Sequence, residues 1–352
     1  MASSGPAPTA GPIPSPTARW SDYTKLSRQI KQAGLLDRRR GYYAAKVALN
    51  LGLLVAGGAA FVLLGDSWWQ LLTAAYLAVV FTQLAFVGHD AGHRQISRSR
   101  PANDRVGLLH ANLLIGISFG WWVPKHNAHH TNPNHEDLDP DISITALAFT
   151  DGQASSRHGL IRLVARYQAW LFFPLLLLEA AHLHLASAKA VLRGSGRANL
   201  VEGLLLVAHV AGYLTALVLV LSPAQAVALV LVQQGLFGLY LGCSFAPNHK
   251  GMPTLTDADQ LDFLRRQVLT SRNVTGSRPV DFVLGGLNYQ IEHHLFPNMP
   301  RPNLRHAQPL VRAFCAQHGL PYVEASLFGS YTQALRHLHA VGAPLRLGAA
   351  AD

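Results

Sequence analysis

The chain has 352 residues, and only 14% of them are charged, against roughly a quarter in soluble proteins, so the composition favours a membrane protein. Its formal net charge of +10 lies in the polar segments, which suits anionic lipid headgroups, acidic redox partners or phosphate-bearing substrates. The two cysteines, Cys243 and Cys315, form no CxxC pair. This excludes a disulfide framework and a cysteine-based zinc or iron–sulfur site.

The amino-terminal region is predicted to precede the membrane. Residues 1–18 are rich in Pro, Ala, Ser and Gly and lack a signal-peptide pattern, so we expect a disordered tail. Residues 19–41 are expected to form an interfacial amphipathic helix with Leu26, Ile30 and Leu35 on its apolar side. Periodicity alone allows an ordinary solvated helix equally well. Residues 42–340 then form the membrane domain, and residues 341–352 a flexible tail.

Four apolar stretches are each close to the ~20 residues that cross a bilayer, and they cover residues 42–64, 68–87, 200–221 and 224–245. Very short connections join them into two hairpins. The apolar stretches 107–123 and 170–186 contain polar residues, and we interpret them as interfacial or re-entrant helices. The sequence therefore predicts an all-α integral membrane protein with four transmembrane helices in two hairpins, interfacial helices and a cytosolic histidine-rich cap.

The connections between the paired spans contain no Lys or Arg. By the positive-inside rule, both termini and the polar segments that carry the histidines are expected to face the cytosol.

Three histidine clusters follow the predicted spans: HDAGH, HNAHH and QIEHH, with histidines at 89, 93, 126, 129, 130, 293 and 294. Imidazoles three or four residues apart project from one face of a helix. Seven of them exceed the four ligands of a zinc site, so two metal ions are the simplest interpretation. Asp90, Glu136 and Glu292 are candidates for orienting these imidazoles.

A metal site at the bilayer surface could receive a long apolar substrate whose polar head stays in the cytosol. Such a chain carries no acidic proton, so its oxidation needs an oxidant that is generated from O₂ at iron.

In this order, HDAGH, HNAHHT and QIEHHLFP resemble the membrane fatty acid desaturases, over residues 42–322. The resemblance implies a cofactor of two non-haem iron ions, with O₂ as co-substrate. It implies iron ligation by the seven histidines and by His249, in the Asn248-His249 pair. Gln290 heads the third cluster as in the front-end branch, and Asn134, Asp139 and Asp141 match the extension after the second. Residues expected next to the ligands are Gln290, Asn248, Asp90, Asp139 and Asp141.

The resemblance implies an O₂-dependent desaturase that inserts a double bond into a long-chain acyl group, carried on CoA or on a lipid, near its carboxyl end. Hydroxylation, epoxidation or a sphingolipid substrate remain alternatives. A membrane cytochrome or a metal transporter fits less well, because the clusters lie at span ends. We expect membrane lipid as a partner and no nucleic acid.

Many front-end relatives carry a fused cytochrome b5 domain, and this sequence lacks its His-Pro-Gly-Gly motif. We therefore expect a separate electron donor, a ferredoxin or cytochrome b5-like protein with an NAD(P)H reductase. This pattern resembles stand-alone bacterial members, so the expected location is a bacterial plasma membrane.

Overall fold

The computed structural model describes residues 16–347. The helices are α1 Pro16–Gln32, α2 Arg40–Leu64, α3 Gln70–Gly92, α4 Arg100–Gly107, α5 Phe119–Thr131, α6 Asp151–Ser155, α7 Gly159–Arg166, α8 Gln168–Leu176, α9 Glu179–Arg193, α10 Gly196–Val220, α11 Pro223–His249, α12 Phe263–Leu269, α13 Arg278–Val283, α14 Gln290–Leu295, α15 Arg301–Gln317, α16 Leu327–Val341 and α17 Ala343–Leu347. A π-helical segment, Leu108–Leu114, continues α4. Two short strands, β1 Asn273–Val274 and β2 Glu324–Ala325, pair in parallel.

Four of these helices, α2, α3, α10 and α11, are long and apolar enough to cross a membrane, which confirms the predicted four-helix membrane architecture. Two of them are longer than the apolar stretches predicted. Helix α3 continues to Gly92 and α11 to His249. Both extensions are buried by protein rather than lipid, so hydropathy alone ends the helix too early.

The two predicted hairpin connections lie together. The backbone N–H of Ser222 donates to a carboxylate oxygen of Asp66 at 2.7 Å. Helices α3 and α11 both begin beside this contact and pack along each other. Their opposite ends, which carry His89 and His249, therefore emerge on the same side of the bundle.

Two further helix pairs are sharply bent. The segment Arg100–Leu114 meets α5 at 113°, and α8 meets α9 at 67°. The first bend contains Gly116, whose positive φ of 71° suits a residue without Cβ. This bend turns α5 so that its histidines lie beside those of the other two clusters.

The apolar side of α1 packs on helices of the carboxyl-terminal region rather than on a membrane. Leu26, Ile30 and Leu35 are buried in one cluster with Leu264 and Phe296. The periodicity identifies the apolar side of the helix, but the carboxyl-terminal helices, and not lipid, cover it.

At both ends of the described region, the structure differs from the predicted tails. Residues 1–15 and 348–352 lie outside the described residues, whereas residues 16–18 begin α1. Near the carboxyl end, α17 is ordered by packing, because Leu345 is buried and Arg346 donates to the carbonyl of Arg166 at 2.7 Å. The segment 343–347 is therefore a packed helix and not a flexible tail.

Candidate metal centre

Four histidines from three separate helices form the first group. His89 and His93 come from the end of α3, His126 from α5 and His293 from α14. One ring nitrogen of each lies within 4.8 Å of the others, and all four side chains are buried. The protein thus brings together four nitrogen donors that are distant in sequence.

Three more histidines form a second group. Ligand atoms of His129, His249 and His294 lie within 4.8 Å of one another. His130 lies between the two groups, with its ring centre 4.1 Å from that of His294 and 4.5 Å from that of His93. All eight histidines named from the sequence therefore lie in one cluster.

Burial sets the charge of these rings. Removal from water disfavours the imidazolium form, and neighbouring imidazoles oppose a second positive charge. Both effects lower the pKa well below its usual value for His93, His126, His130, His293 and His294. The rings are therefore neutral at physiological pH and have lone pairs available for a metal.

Two predicted carboxylates contact ring nitrogens directly. Nδ1 of His129 lies 2.9 Å from Asp139, and Nδ1 of His89 lies 3.4 Å from Asp90. A carboxylate that accepts a hydrogen bond from Nδ1–H keeps the proton on Nδ1 and leaves Nε2 with its lone pair, which is the tautomer that binds a metal. Asp141 is more distant, at 3.7 Å from the His129 ring.

Two predicted amides sit beside the second group. The side-chain nitrogen of Gln290 lies 2.8 Å from Nε2 of His249. The amide of Asn248 donates to the Gln290 carbonyl oxygen at 3.3 Å. Asn248 therefore fixes the orientation of Gln290, and Gln290 faces the imidazole nitrogen that would bind a metal.

The histidines line a cavity of about 720 Å³, within the roughly 300–1,000 Å³ typical of ligand sites. His89, His126, His129, His249, His293 and Gln290 contribute to its wall. Most of the remaining wall is apolar, with Ile115, Ile117, Trp121, Phe172, Leu176, Leu241 and Phe245. Such a cavity can hold an apolar chain against the imidazole cluster.

The family model described as fatty acid desaturase matches residues 66–326. This range holds all three histidine clusters. The chain belongs to the fatty acid desaturase family.

Curated desaturases from several organisms are similar over most of this chain. The Delta(6)-fatty-acid desaturase of Caenorhabditis elegans is 31% identical over 90% of this chain and 74% of its own length. A Delta(8)-fatty-acid desaturase of Arabidopsis thaliana is 29% identical, with the same coverage of both chains. A Delta 8-(E)-sphingolipid desaturase of Kluyveromyces lactis is 30% identical over 88% of this chain and 56% of its own length.

The donor set of this desaturase fits iron. Imidazole nitrogens bind iron well, and the two groups supply four and three of them. Among the described residues, the buried Nε2 atoms of His89, His93 and His293 have no hydrogen-bond partner. Unpartnered buried nitrogens are costly unless something binds them, so the cluster suits metal ions.

Several residues that hold the desaturase histidines carry no recognisable sequence signal. Gln267 contacts Nδ1 of His294 at 2.9 Å, and the carbonyl of Thr270 lies 2.9 Å from Nδ1 of His249. Arg301 pairs with Asp90 at 2.6 Å. These partners come from α12, its end and α15, and only folding brings them to the clusters.

Two carboxylates that were candidates for orienting imidazoles lie elsewhere. Glu136 accepts a hydrogen bond from the Thr150 hydroxyl. Glu292 accepts from the Tyr322 hydroxyl at 2.6 Å and from Asn273 at 2.8 Å. On α14, Glu292 therefore points away from His293 and His294 and ties the helix to the carboxyl-terminal region.

Charged side chains also line the cavity at the histidines. Lys125 pairs with Asp141, and the Lys250 ammonium donates to the Asp141 carbonyl at 3.0 Å. Each lysine is adjacent in sequence to a cluster histidine, His126 or His249. The cavity wall thus holds two ammonium groups, with the carboxylates of Asp141 and Glu179, close to the imidazoles.

Proposed function

We propose that this desaturase inserts a double bond into a long-chain acyl group, using O₂ and two irons held by the eight clustered histidines. The observation that carries the proposal is the opening of both histidine groups onto one mainly apolar cavity. An oxidising centre there would meet a methylene chain rather than a polar substrate.

The reaction converts a CH₂–CH₂ unit, O₂, two electrons and two protons into a CH=CH unit and two molecules of water. Bound iron supplies the activation of O₂ and the oxidising power. The residues of the chain orient the imidazoles and shape the substrate site. The carboxylates of Asp90 and Asp139 hold their imidazoles in the metal-binding tautomer, and the apolar wall positions the acyl chain and keeps bulk water out.

We infer front-end insertion from the position of the cationic groups. Lys125 and Lys250 line the same cavity as the neighbouring imidazoles of His126 and His249. A carboxyl-derived head bound at these lysines would place the carboxyl end of the acyl chain, rather than its methyl end, on the side of the metal centre. Gln290, which lies against His249, also matches the front-end pattern.

We propose that the histidine cap faces the cytosol of a bacterial cell, with the protein in the plasma membrane. The two connections at the opposite end of the bundle contain no Lys or Arg, as the positive-inside rule requires for the outer side. We further propose that a separate ferredoxin or cytochrome b5-like protein, with its reductase, delivers the electrons to this face.

The test is expression in a desaturase-deficient host fed with defined unsaturated fatty acids, followed by mass spectrometry that locates the new double bond. We expect a bond between an existing one and the carboxyl end. A bond placed at a fixed distance from the methyl end would contradict front-end insertion. A hydroxylated or epoxidised product, or modification of sphingoid bases alone, would replace acyl desaturation with the corresponding alternative.

A lysine variant and a matched control test whether the cavity lysines bind the substrate head. Lys125→Ala should lower turnover or shift the double bond, because the substrate head loses an anchor. The matched variant Lys189→Ala removes an exposed lysine of α9 outside the cavity wall and should leave the product unchanged. Native regiochemistry and rate in Lys125→Ala would remove this lysine from substrate recognition.

A further inference from the structure

A second cavity lies at the predicted cytosolic end of the first membrane helix. It has a volume of about 410 Å³ and is formed by the start of α2, by α13, and by the start of α15. It shares no lining residue with the cavity at the histidines. A ligand bound in this second cavity would therefore be separate from the proposed acyl site.

Four cationic side chains and a single carboxylate line this second cavity. The cations are Lys46, Arg278, Arg301 and Arg305, and the carboxylate is Asp281. Asp281 pairs with Arg305 at 2.6 Å. Within residues 16–347, Lys46 and Arg278 have no carboxylate partner. The cavity therefore carries an excess of positive charge.

Two of these cations are built into the protein interior. Lys46 is 7% exposed, and its ammonium contacts only the Gln83 amide oxygen at 2.6 Å and the Phe282 ring at 4.3 Å. Arg301 is also 7% exposed, and its Nε has no hydrogen-bond partner among the described residues. Arg301 is matched by the Asp90 carboxylate at 2.6 Å, whereas Lys46 has no matching anion among the described residues. Burying an ammonium in this way is costly, which indicates a ligand.

The backbone makes room for this arrangement. Gly286 has a positive φ of 80°, and a Cβ atom there would lie 2.5 Å from Cγ of Arg301. Only glycine fits this position without displacing the arginine. Arg301 then reaches the carbonyl of Phe86 at 2.6 Å and the carboxylate of Asp90, which fixes its place in the cavity wall.

Apolar side chains flank the cationic cavity on the membrane side. Phe282 and Val283 of α13 are half-exposed, as is Leu49, about one turn along α2 from Lys46. Tyr42, also in the cavity wall, has the amphipathic character of residues at a membrane interface. A headgroup pocket beside exposed apolar residues is complementary to an amphiphile.

We propose that this second cavity binds the phosphate of an anionic phospholipid from the surrounding leaflet, with the acyl chains lying along α2 and α13. Phosphate accepts hydrogen bonds from several guanidinium and ammonium groups at once. The ligand would offset the buried charge of Lys46 and pair with the exposed Arg278. Because Arg301 also holds Asp90, the partner of His89, the bound lipid supports the wall of the metal centre.

The experiment uses the full chain purified in detergent, titrated with dioctanoyl-phosphatidylglycerol, dioctanoyl-phosphatidylcholine or glycerol 3-phosphate. Native mass spectrometry gives the dissociation constants, and the shift in unfolding temperature gives the stabilisation. We expect phosphatidylglycerol to bind at least about tenfold more tightly than phosphatidylcholine, because the unpaired Lys46 and Arg278 favour a headgroup with a net negative charge. We expect glycerol 3-phosphate to bind weakly.

Arg278→Glu should weaken phosphatidylglycerol binding by about tenfold or more, because it reverses an exposed charge in the cavity wall without disturbing the core. Arg193→Glu is the matched control, an exposed arginine at the end of α9 outside the cavity, and it should bind as the native protein does. Equal binding of the two lipids, or no effect of Arg278→Glu, would overturn the proposal. Binding of glycerol 3-phosphate as tight as that of the lipid would instead assign the site to a soluble phosphate compound.

Discussion

Nδ1 of His129 lies 2.9 Å from a carboxylate oxygen of Asp139, and that carboxylate also accepts the backbone N–H groups of Asn134 at 2.7 Å and Asp141 at 2.9 Å. Asp139 is completely buried, so water cannot replace any of these bonds. One side chain therefore organises the loop after the second histidine cluster and orients a ring of the clustered histidines.

Asp139→Asn should reduce iron affinity by roughly 10–100-fold, the usual cost of losing a partner that holds a metal-binding imidazole. The asparagine side chain has a single oxygen and cannot accept all the hydrogen bonds that the two carboxylate oxygens accept. The His129 tautomer and the loop are therefore both disturbed. Iron per chain and turnover are the two measurements. Asp137→Asn, an exposed acid of the same loop, is the control. Full iron content in Asp139→Asn would show that the contact does not support the metal.

Replacing any one of His89, His93, His126, His129, His130, His249, His293 or His294 by alanine should abolish turnover and leave membrane insertion intact. The reason is that each ring contributes to the metal cluster, whereas the four membrane helices are held by apolar packing. Iron analysis, activity and membrane fractionation test this. His158→Ala changes an exposed histidine and should behave as the native chain. A clustered variant that keeps near-native turnover would remove that histidine from the ligands.

Deleting residues 1–15 should leave activity and stability unchanged. This segment is rich in Pro, Ala, Ser and Gly and has few large apolar side chains, so its removal takes away little apolar surface. Activity in isolated membranes, compared with the full chain, is the measurement. Loss of activity would identify the segment as a docking element.

Leu26→Ala, by contrast, should destabilise the cap by about 2–5 kcal/mol, the range for a fully buried leucine. Leu26 is completely buried, in a cluster with Leu264 and Phe296. The unfolding temperature in detergent is the measurement, and Lys31→Ala, at an exposed position of α1, is the control. Native stability in Leu26→Ala would mean that α1 does not hold the cap.

Turnover should require an added electron carrier and should fall with ionic strength. The chain carries a formal charge of +10, which steers an acidic partner until salt screens it, as the Debye length falls from about 10 Å at 0.1 M to about 3 Å at 1 M. Purified protein is assayed with substrate and O₂, with or without ferredoxin or cytochrome b5 and their reductase. Multiple turnovers from NADPH alone would refute a separate carrier. Turnover that needs the carrier but ignores salt would refute electrostatic docking.

The four membrane helices and the clustered histidines could be predicted from the amino-acid sequence. Apolar stretches of bilayer length and the three-and-four spacing of histidines are local patterns, so they can be read without knowing which segments meet. The apolar side of α1, with Leu26 and Ile30, was also visible as periodicity.

The surroundings of these helices and histidines depend on contacts between distant segments. Gln267, Thr270 and Arg301 reach the histidine cluster and its partner Asp90 from segments with no distinctive pattern. Glu292 turns away from the histidines beside it because Tyr322 and Asn273 hold it. Protein covers the apolar side of α1, with Leu26 and Ile30. Helix ends also follow burial rather than hydropathy, which is why α3 and α11 continue past the predicted spans. These outcomes depend on contacts between distant segments, and no local pattern encodes them.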